Sequence, residues 1–270
     1  VFTYLDPAVR ERLIADGTFK RIDAEGQLLS PDDALQTESV AINLLGPIPL
    51  PMLLPSFSQT VQWYATVRSS ELSTVESLAR DLRKDGSQHL FSHLVSSMAV
   101  NSVLVVGEPG DNPLVRVHSN CLTGDVFGSQ RCDCGPQLDA AMQRIGDDSA
   151  GGYVIYMAGH EGRGIGLWAK AATYLLQDTG QDTYQANRSL GLPDDSRDFS
   201  DAATLIKHFV GHNPFRLLSN NPKKLDDLSA HGLKDITPIK HVASVSDWNR
   251  RYLAAKRSRG HRIDDDDLAT

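Results

Sequence analysis

The sequence predicts an α/β fold, a mixed sheet flanked by helices with an N-terminal extension. Three observations lead there. Short apolar runs alternate with stretches of helical spacing through the middle of the chain, and turn residues punctuate them. Hydrophobic residues make up 40% and charged residues 23% of the 270, proportions that exclude wholesale disorder, collagen and coiled coil. The most apolar stretch, 41–55, is broken by Gly46, Pro47, Pro49, Pro51 and Pro55 and falls short of the ~20 apolar residues of a membrane helix.

The elements follow in order. Asp6-Pro7 can start a helix with Val9, Leu13 and Ile14 on one face, ending near Gly17. Residues 46–55 are proline-rich. Residues 59–68 alternate (Val61, Trp63, Ala65, Val67) and read as a strand; Trp63 and 47–55 read as core or dimer packing. Residues 70–95 are polar and helix-prone, with a loop around 84–88. Strands are expected at 103–106 and 114–118, flanking a turn at 108–112. A helix follows at 137–145, with Leu138, Ala141, Met142 and Ile145 at helical spacing. Then come a buried strand at 152–157, helices at 166–177 and 202–209, and a strand at 215–219. A helix at 222–230 carries Pro222 in its first turn and has Gly232 just past its end. The domains read as an extension (1–40), a main domain (41–262) and an acidic tail (263–270), its run Asp264–Asp267 disordered.

The charge is unevenly placed. The chain has 27 Lys+Arg against 34 Asp+Glu, a net −7. Residues 216–262 hold eleven basic and four acidic side chains, so this segment is +7 and the remainder −14. That suggests a localised anionic partner such as phosphate, although the cluster in the 250s also reads as the solvated face of a helix at 246–258. Few aromatics accompany the basic residues, which argues against nucleic acid. The early charges Asp6, Arg10, Glu11 and Arg12 do not read as a secretory leader, so a cytoplasmic protein without membrane attachment is expected.

The chemistry concentrates at Cys121, Cys132 and Cys134, three thiols within fourteen residues. Three thiolates can hold one Zn²⁺ and leave a fourth tetrahedral position for water, whose pKa the metal lowers. A closed structural site completed by His118 or another histidine is an alternative, as are three ordinary buried cysteines. The glycine-rich turn Glu161-Gly162-Arg163-Gly164 enters a helix and could hold an anion or a base edge. At 219–224, Asn220 or Asn221 can cap a helix whose start, with Lys224, suits a triphosphate. By themselves, Asp194 to Arg197 read as a charged surface turn.

Four stretches, RVHSNCLTGDVFGSQRCDCGPQLDAA, EGRGIGLWAKAATYLLQDTGQDTYQAN, LGLPDDSRDF and RLLSNNPKKLDDL, resemble GTP cyclohydrolase II in order and spacing. The resemblance covers about 97–262 and, more faintly, the chain from about 45. It implies that family's fold and a zinc hydrolase that opens the imidazole ring of GTP, releasing formate and pyrophosphate for riboflavin biosynthesis. It further implies one zinc per chain on Cys121, Cys132 and Cys134, Mg²⁺ with the triphosphate, and a homodimer. Asp195 matches the acid/base, Arg197 the proposed nucleophile or phosphate-handling residue, and Tyr174 a tyrosine needed for ring opening. Arg116, Val117, His118, Ser119, Asn120, Gln137, Glu161, Gly162, Arg163, Thr183, Ser219 and Lys224 match nucleotide-binding positions. An arginine nucleophile is chemically unusual, because guanidinium is protonated at pH 7; by its own chemistry Arg197 reads as a phosphate clamp.

Three departures stand out. Asn120 replaces a glutamate usual in the family, so the site loses an acceptor and gains a donor. Met157-Ala158-Gly159-His160 replaces an Arg-Gln pair with one residue more. Residues 1–40 and 70–95 have no clear counterpart. Two further readings therefore stand beside the first: a related cyclohydrolase with a different nucleobase, purine or pyrimidine, and a non-catalytic zinc protein that binds nucleotide. The three cysteines together with Asp195, Arg197 and Tyr174 weigh against the last. The zinc loop, the Glu161 turn, the Asp195 turn and the Lys224 helix start should converge on one cleft.

Overall fold

A computed structural model describes residues 7–30, 41–85 and 98–268. Among these, eight strands form one mixed sheet: β1 (Phe19–Ile22), β2 (Ile42–Leu54), β3 (Phe57–Arg68), β4 (Asn101–Val106), β5 (Leu114–Ser119), β6 (Gly152–Met157), β7 (Phe215–Leu218) and β8 (Ile236–Ile239). Their spatial order is β1-β2-β3-β4-β6-β5-β7-β8. Pairing is antiparallel from β1 across to β6 and parallel from β6 across to β8. The helices are α1 (Pro7–Ala15), α2 (Ser69–Asp85), α3 (Cys134–Gly146), α4 (Gly166–Asp178), α5 (Thr183–Ser189), α6 (Ser200–Val210), α7 (Pro222–Ala230) and α8 (Arg250–Arg257).

The two-residue period of the strands sorts their side chains into two cores. Val115, Val117, Tyr153, Ile155, Met157 and Leu217 pack with Phe199, Leu205, Ile206 and Leu228 from the α6 and α7 side. The intervening Leu114, Val154 and Leu218 pack with Ala141, Met142 and Ile145 of α3. Trp63 lies half-buried against this second core. Each large side chain so removed from water stabilises the fold by roughly 1.5–3 kcal/mol. The central strands are therefore covered on both faces, and only their ends are open to ligands.

Pro47, Pro49 and Pro51 lie within a strand, and Pro55 sits in the turn that follows it. β1 covers β2 only as far as Leu45, and beyond it β2 pairs with β3 alone, Pro49 opposite Gln62 and Pro51 opposite Thr60. Alternate residues point their amides the same way. Pro47, Pro49 and Pro51 thus place their missing donors on the free edge, where no ladder bond is lost and strand addition is blocked.

Other differences have local causes. The sequence reading gives no element for β1, β8 or α5, because the strands are four residues long and α5 is announced only by the Asp182/Gln185 capping box. The helix expected over 246–258 is confined to Arg250–Arg257. The expected disorder of the acidic run is not found. Asp265–Leu268 form a helical turn, with Asp264 and Asp267 on Lys240 and Asp265 on Arg257. Of the loop expected at 84–88, residues 84 and 85 end α2, while 86–95 lie outside the described residues.

Candidate active site

β5, β6 and β7 end at the same edge of the sheet, and each runs directly into one of the motifs. From β5 the chain passes to β6 on one side and later returns as β7 on the other. Such a reversal opens a crevice beyond the strand ends. There the cysteine loop, the Glu161 turn, Arg197 and the start of α7 line one cleft, as the sequence predicts. Of the predicted site residues, Val117 and Asp195 do not line it. Val117 is core, and Asp195 stands behind Arg197.

The three sulfurs lie within 4.8 Å of one another, with Cys121 Sγ and Cys132 Sγ 3.6 Å apart. Two sulfurs about 2.3 Å from a tetrahedral zinc would stand about 3.8 Å apart, so donor set and spacing fit that ion. The described residues offer no further His, Cys, Asp or Glu to the group. His118, the alternative fourth ligand, directs Nε2 to Asp125 instead, at 3.1 Å. The packing leaves no room for side chains at two glycines. A Cβ on Gly124 would stand 2.9 Å from Cys132 Sγ, and one on Gly135 2.4 Å from the Gly124 carbonyl oxygen.

Hydrogen bonds that involve no sulfur fix the loop. Asp125 Oδ2 accepts from Cys121 N at 3.0 Å and from Tyr156 Oη at 2.8 Å. Glu161 Oε2 accepts from Leu122 N at 2.7 Å. Asp133, 1% exposed between two of the cysteines, accepts from Lys256 Nζ at 2.8 Å and from Gln137 Nε2 at 2.6 Å. Hydrogen bonds from the other two thiols, and then Lys170, hold Cys121 far below an ordinary thiol. Its thiolate and burial push Cys132 up to about 11 and hold Cys134 well above an ordinary thiol. Metal binding must therefore displace protons from the last two.

Lining the same cleft, Arg116, Lys224 and Arg163 converge without a salt bridge among the described residues. Buried Arg116 donates to Leu218 O at 2.7 Å and to Gln137 Oε1 at 2.5 Å. Buried Lys224 has only the Val117 carbonyl oxygen, at 2.5 Å, and burial drives its ammonium far below the usual lysine range. Arg163 stacks on Tyr184 and donates to Thr183 Oγ1 at 3.2 Å, while its Nη2 is buried with no partner. Its backbone is left-handed (φ 64°), a conformation costly for a side-chain-bearing residue and typical of ligand clamps. None of the three has a salt bridge among the described residues. Asn221, not Asn220, caps α7, while Ser219 Oγ accepts from Asn221 N at 3.2 Å.

Arg197 grips Asp195 with two bonds, at 2.9 and 2.6 Å, and reaches Ser119 Oγ at 3.2 Å. Burial raises the Asp195 carboxyl, but Arg197 outweighs it, and the acid stays ionised. Tyr174 Oη meets Thr123 Oγ1 at 3.1 Å, and burial raises its phenol, keeping it protonated. His160, in the segment that departs from the family, is buried between Ser119 Oγ and the Asp198 carbonyl.

His160 and His241 are held neutral by burial, at about 4 and about 3. His241 donates from Nε2 to Gln137 O, and its Nδ1 faces an Arg144 N–H, so a second ring proton would meet a donor. The unfolded chain takes up these protons near pH 6.5 and the folded chain only below 4, so stability falls as pH drops between those values. At pH 5 each histidine costs roughly 2 kcal/mol. Thermal unfolding should therefore shift down between pH 7 and pH 5, and less steeply in His241→Gln; equal slopes would contradict this.

Among the cleft residues to which sequence reasoning assigns no role are Lys170, Tyr252, Lys256 and His261. Lys170 lies one turn before Tyr174 and so shares its face, a usable signal. Lys256 and Tyr252 share a face of α8 in the same way, but nothing local ties that helix to the cysteine loop.

The family model for GTP cyclohydrolase II matches residues 82–239. The riboflavin biosynthesis protein RibBA of Mycobacteroides abscessus is 52% identical over 157 residues, 58% of this chain and 37% of that protein. RibBA of Nocardia farcinica is 51% identical over 171 residues, 61% of this chain and 41% of that protein. GTP cyclohydrolase-2 of Vibrio parahaemolyticus is 48% identical over 150 residues, 56% of this chain and 74% of that protein. The chain thus spans well under half the length of the RibBA proteins it matches. No helix among the described residues is long and apolar enough to cross a membrane.

Proposed function

The chain belongs to the GTP cyclohydrolase II family, and on that premise we propose that it is a zinc-dependent hydrolase opening the imidazole ring of GTP, with release of formate and pyrophosphate. One observation carries the reading: Arg116, Arg163 and Lys224, cations without a salt-bridge partner among the described residues, face the cleft that holds the three-thiol cluster. A triphosphate supplies the charge they lack. Zinc on Cys121, Cys132 and Cys134 would supply Lewis acidity and a solvent-derived nucleophile at neutral pH, and Mg²⁺ would accompany the triphosphate.

The protein's own groups do the rest. Asp195, ionised and paired with Arg197, which stands between it and the cleft, keeps the acid/base role that the resemblance implies and would take a proton and return it as a C–N bond breaks. Arg197, held protonated by Asp195 against the cost of its burial, clamps the α-phosphate rather than attacking it. Tyr174 offers a phenol proton to the opening ring. Arg116, His118, Ser119, Asn120, Gln137, Gly162, Arg163, Thr183, Ser219 and Lys224 form the nucleotide site, while Val117 lies in the core beneath it. We place the protein in the cytoplasm, where thiols stay reduced, in riboflavin biosynthesis, as a homodimer whose catalytic unit is 41–262, between an extension at 1–40 and an acidic end at 263–270.

A second reading, another nucleobase, is favoured by Asn120, whose amide oxygen is buried without a partner. An amide suits a base edge with one donor beside one acceptor, whereas a carboxylate accepts two donors. Zinc-loaded protein incubated with GTP, ATP, UTP or CTP, with formate and pyrophosphate measured, separates the readings. Formate from GTP is expected. Turnover of a different triphosphate alone supports the second reading, and no turnover of any overturns catalysis.

A further inference from the structure

Lys170 is 7% exposed and points inward from α4. Its ammonium donates to Cys121 Sγ at 3.1 Å, Thr123 Oγ1 at 2.9 Å and Glu161 Oε1 at 2.6 Å, so all three N–H groups are used. Glu161 is engaged on both oxygens. Oε1 accepts from Lys170 and from Gly162 N at 3.1 Å, and Oε2 from Leu122 N, the residue after the first cysteine. Carboxylate, ammonium and sulfur are thus linked in one chain, and three of the carboxylate's about four acceptor sites are taken by the protein itself.

We propose that Lys170, fixed by Glu161, is a positioning residue that orients the Cys121 sulfur and withdraws charge from it. The inference rests on the zinc reading above and moves Glu161 from nucleotide contact to support of the metal ligand. A thiolate that accepts a charge-assisted N–H bond shares its electron density with the donor and gives less to a metal. Three thiolates are a strongly donating set, and unrelieved donation would blunt the Lewis acidity that hydrolysis needs. Groups that bond a metal's ligands commonly change affinity or activity about 10–100-fold when removed. The lysine is suited to the task because its three donors meet three acceptors on two elements: the cysteine loop at Cys121 and Thr123, and the turn at Glu161.

Cobalt(II)-loaded protein gives a readout independent of turnover, the sulfur-to-cobalt charge-transfer band. In Lys170→Met the sulfur becomes easier to oxidise, so the band should move to longer wavelength, and turnover by the zinc form should fall about 10–100-fold with KM changed far less. Lys170→Arg should restore much of both, because it keeps a charged donor. Glu161→Gln should move the band in the same direction and leave nucleotide Kd near wild type. If Lys170→Met binds cobalt with an unshifted band, or if Glu161→Gln acts only by weakening nucleotide binding, the proposal is overturned while the zinc reading stands. A wild type that takes up no cobalt overturns the zinc reading and this inference with it. Should Lys170→Met fail to fold, the band of Glu161→Gln decides.

Discussion

Cys132→Ser is expected to give a folded protein that retains little zinc, still binds nucleoside triphosphate, and releases neither formate nor pyrophosphate. Folding should survive because the loop is held by Asp125, Glu161 and Asp133, none of which depends on a sulfur. Zinc should be lost because the cluster has three donors and no described fourth to take the place of one removed. Hydroxyl oxygen is a poor substitute, since a serine ionises far less readily than a thiol. Nucleotide should still bind, because Arg116, Arg163 and Lys224 are untouched. The fall in turnover should exceed about 10³-fold, the scale of removing an electrophile that polarises the reacting atoms. Zinc content, nucleotide Kd and formate release measured on one preparation check all three parts. Unimpaired turnover in the zinc-free variant would refute the metal's role.

Lys224→Met should push stability and binding in opposite directions. Lys224 is buried with one carbonyl as its only acceptor and no carboxylate in salt-bridging range among the described residues. Arg116 and Arg197 add to its discomfort by repulsion. Methionine fills nearly the same volume with no charge to desolvate, so the change should stabilise by about 1–4 kcal/mol, the scale seen when buried ion pairs are replaced by apolar side chains. The same change removes a cation waiting for an anion, and losing one side of a desolvated charge pair costs about 2–5 kcal/mol of binding. Tm should therefore rise while triphosphate Kd weakens about 10²-fold. A lysine that merely supports the fold would show the reverse, a lower Tm with unchanged Kd.

What could be read in advance depended on how local its cause was. Three thiols in fourteen residues need no tertiary knowledge to suggest a metal, and Pro222 with Gly232 brackets α7 within its own segment. β5 and β6 were legible because burial on both faces writes itself as an apolar run. β2 was not, since whether Pro47, Pro49 and Pro51 can sit in a strand depends on β1 stopping at Leu45. The alignment of Lys170 with Cys121 and of Lys256 with Asp133 depends on helices approaching the cysteine loop from 49 and 123 residues away. A charged residue on a polar-looking helix carries no mark of the partner it will meet.

The most direct test of an open three-thiolate zinc site is X-ray absorption at the zinc edge of the purified protein. The account predicts one zinc per chain, with three sulfurs at about 2.3 Å and one light oxygen neighbour at about 2.0 Å, consistent with an exchangeable position. A fourth protein sulfur or imidazole, or no zinc in protein purified without chelators, would contradict it.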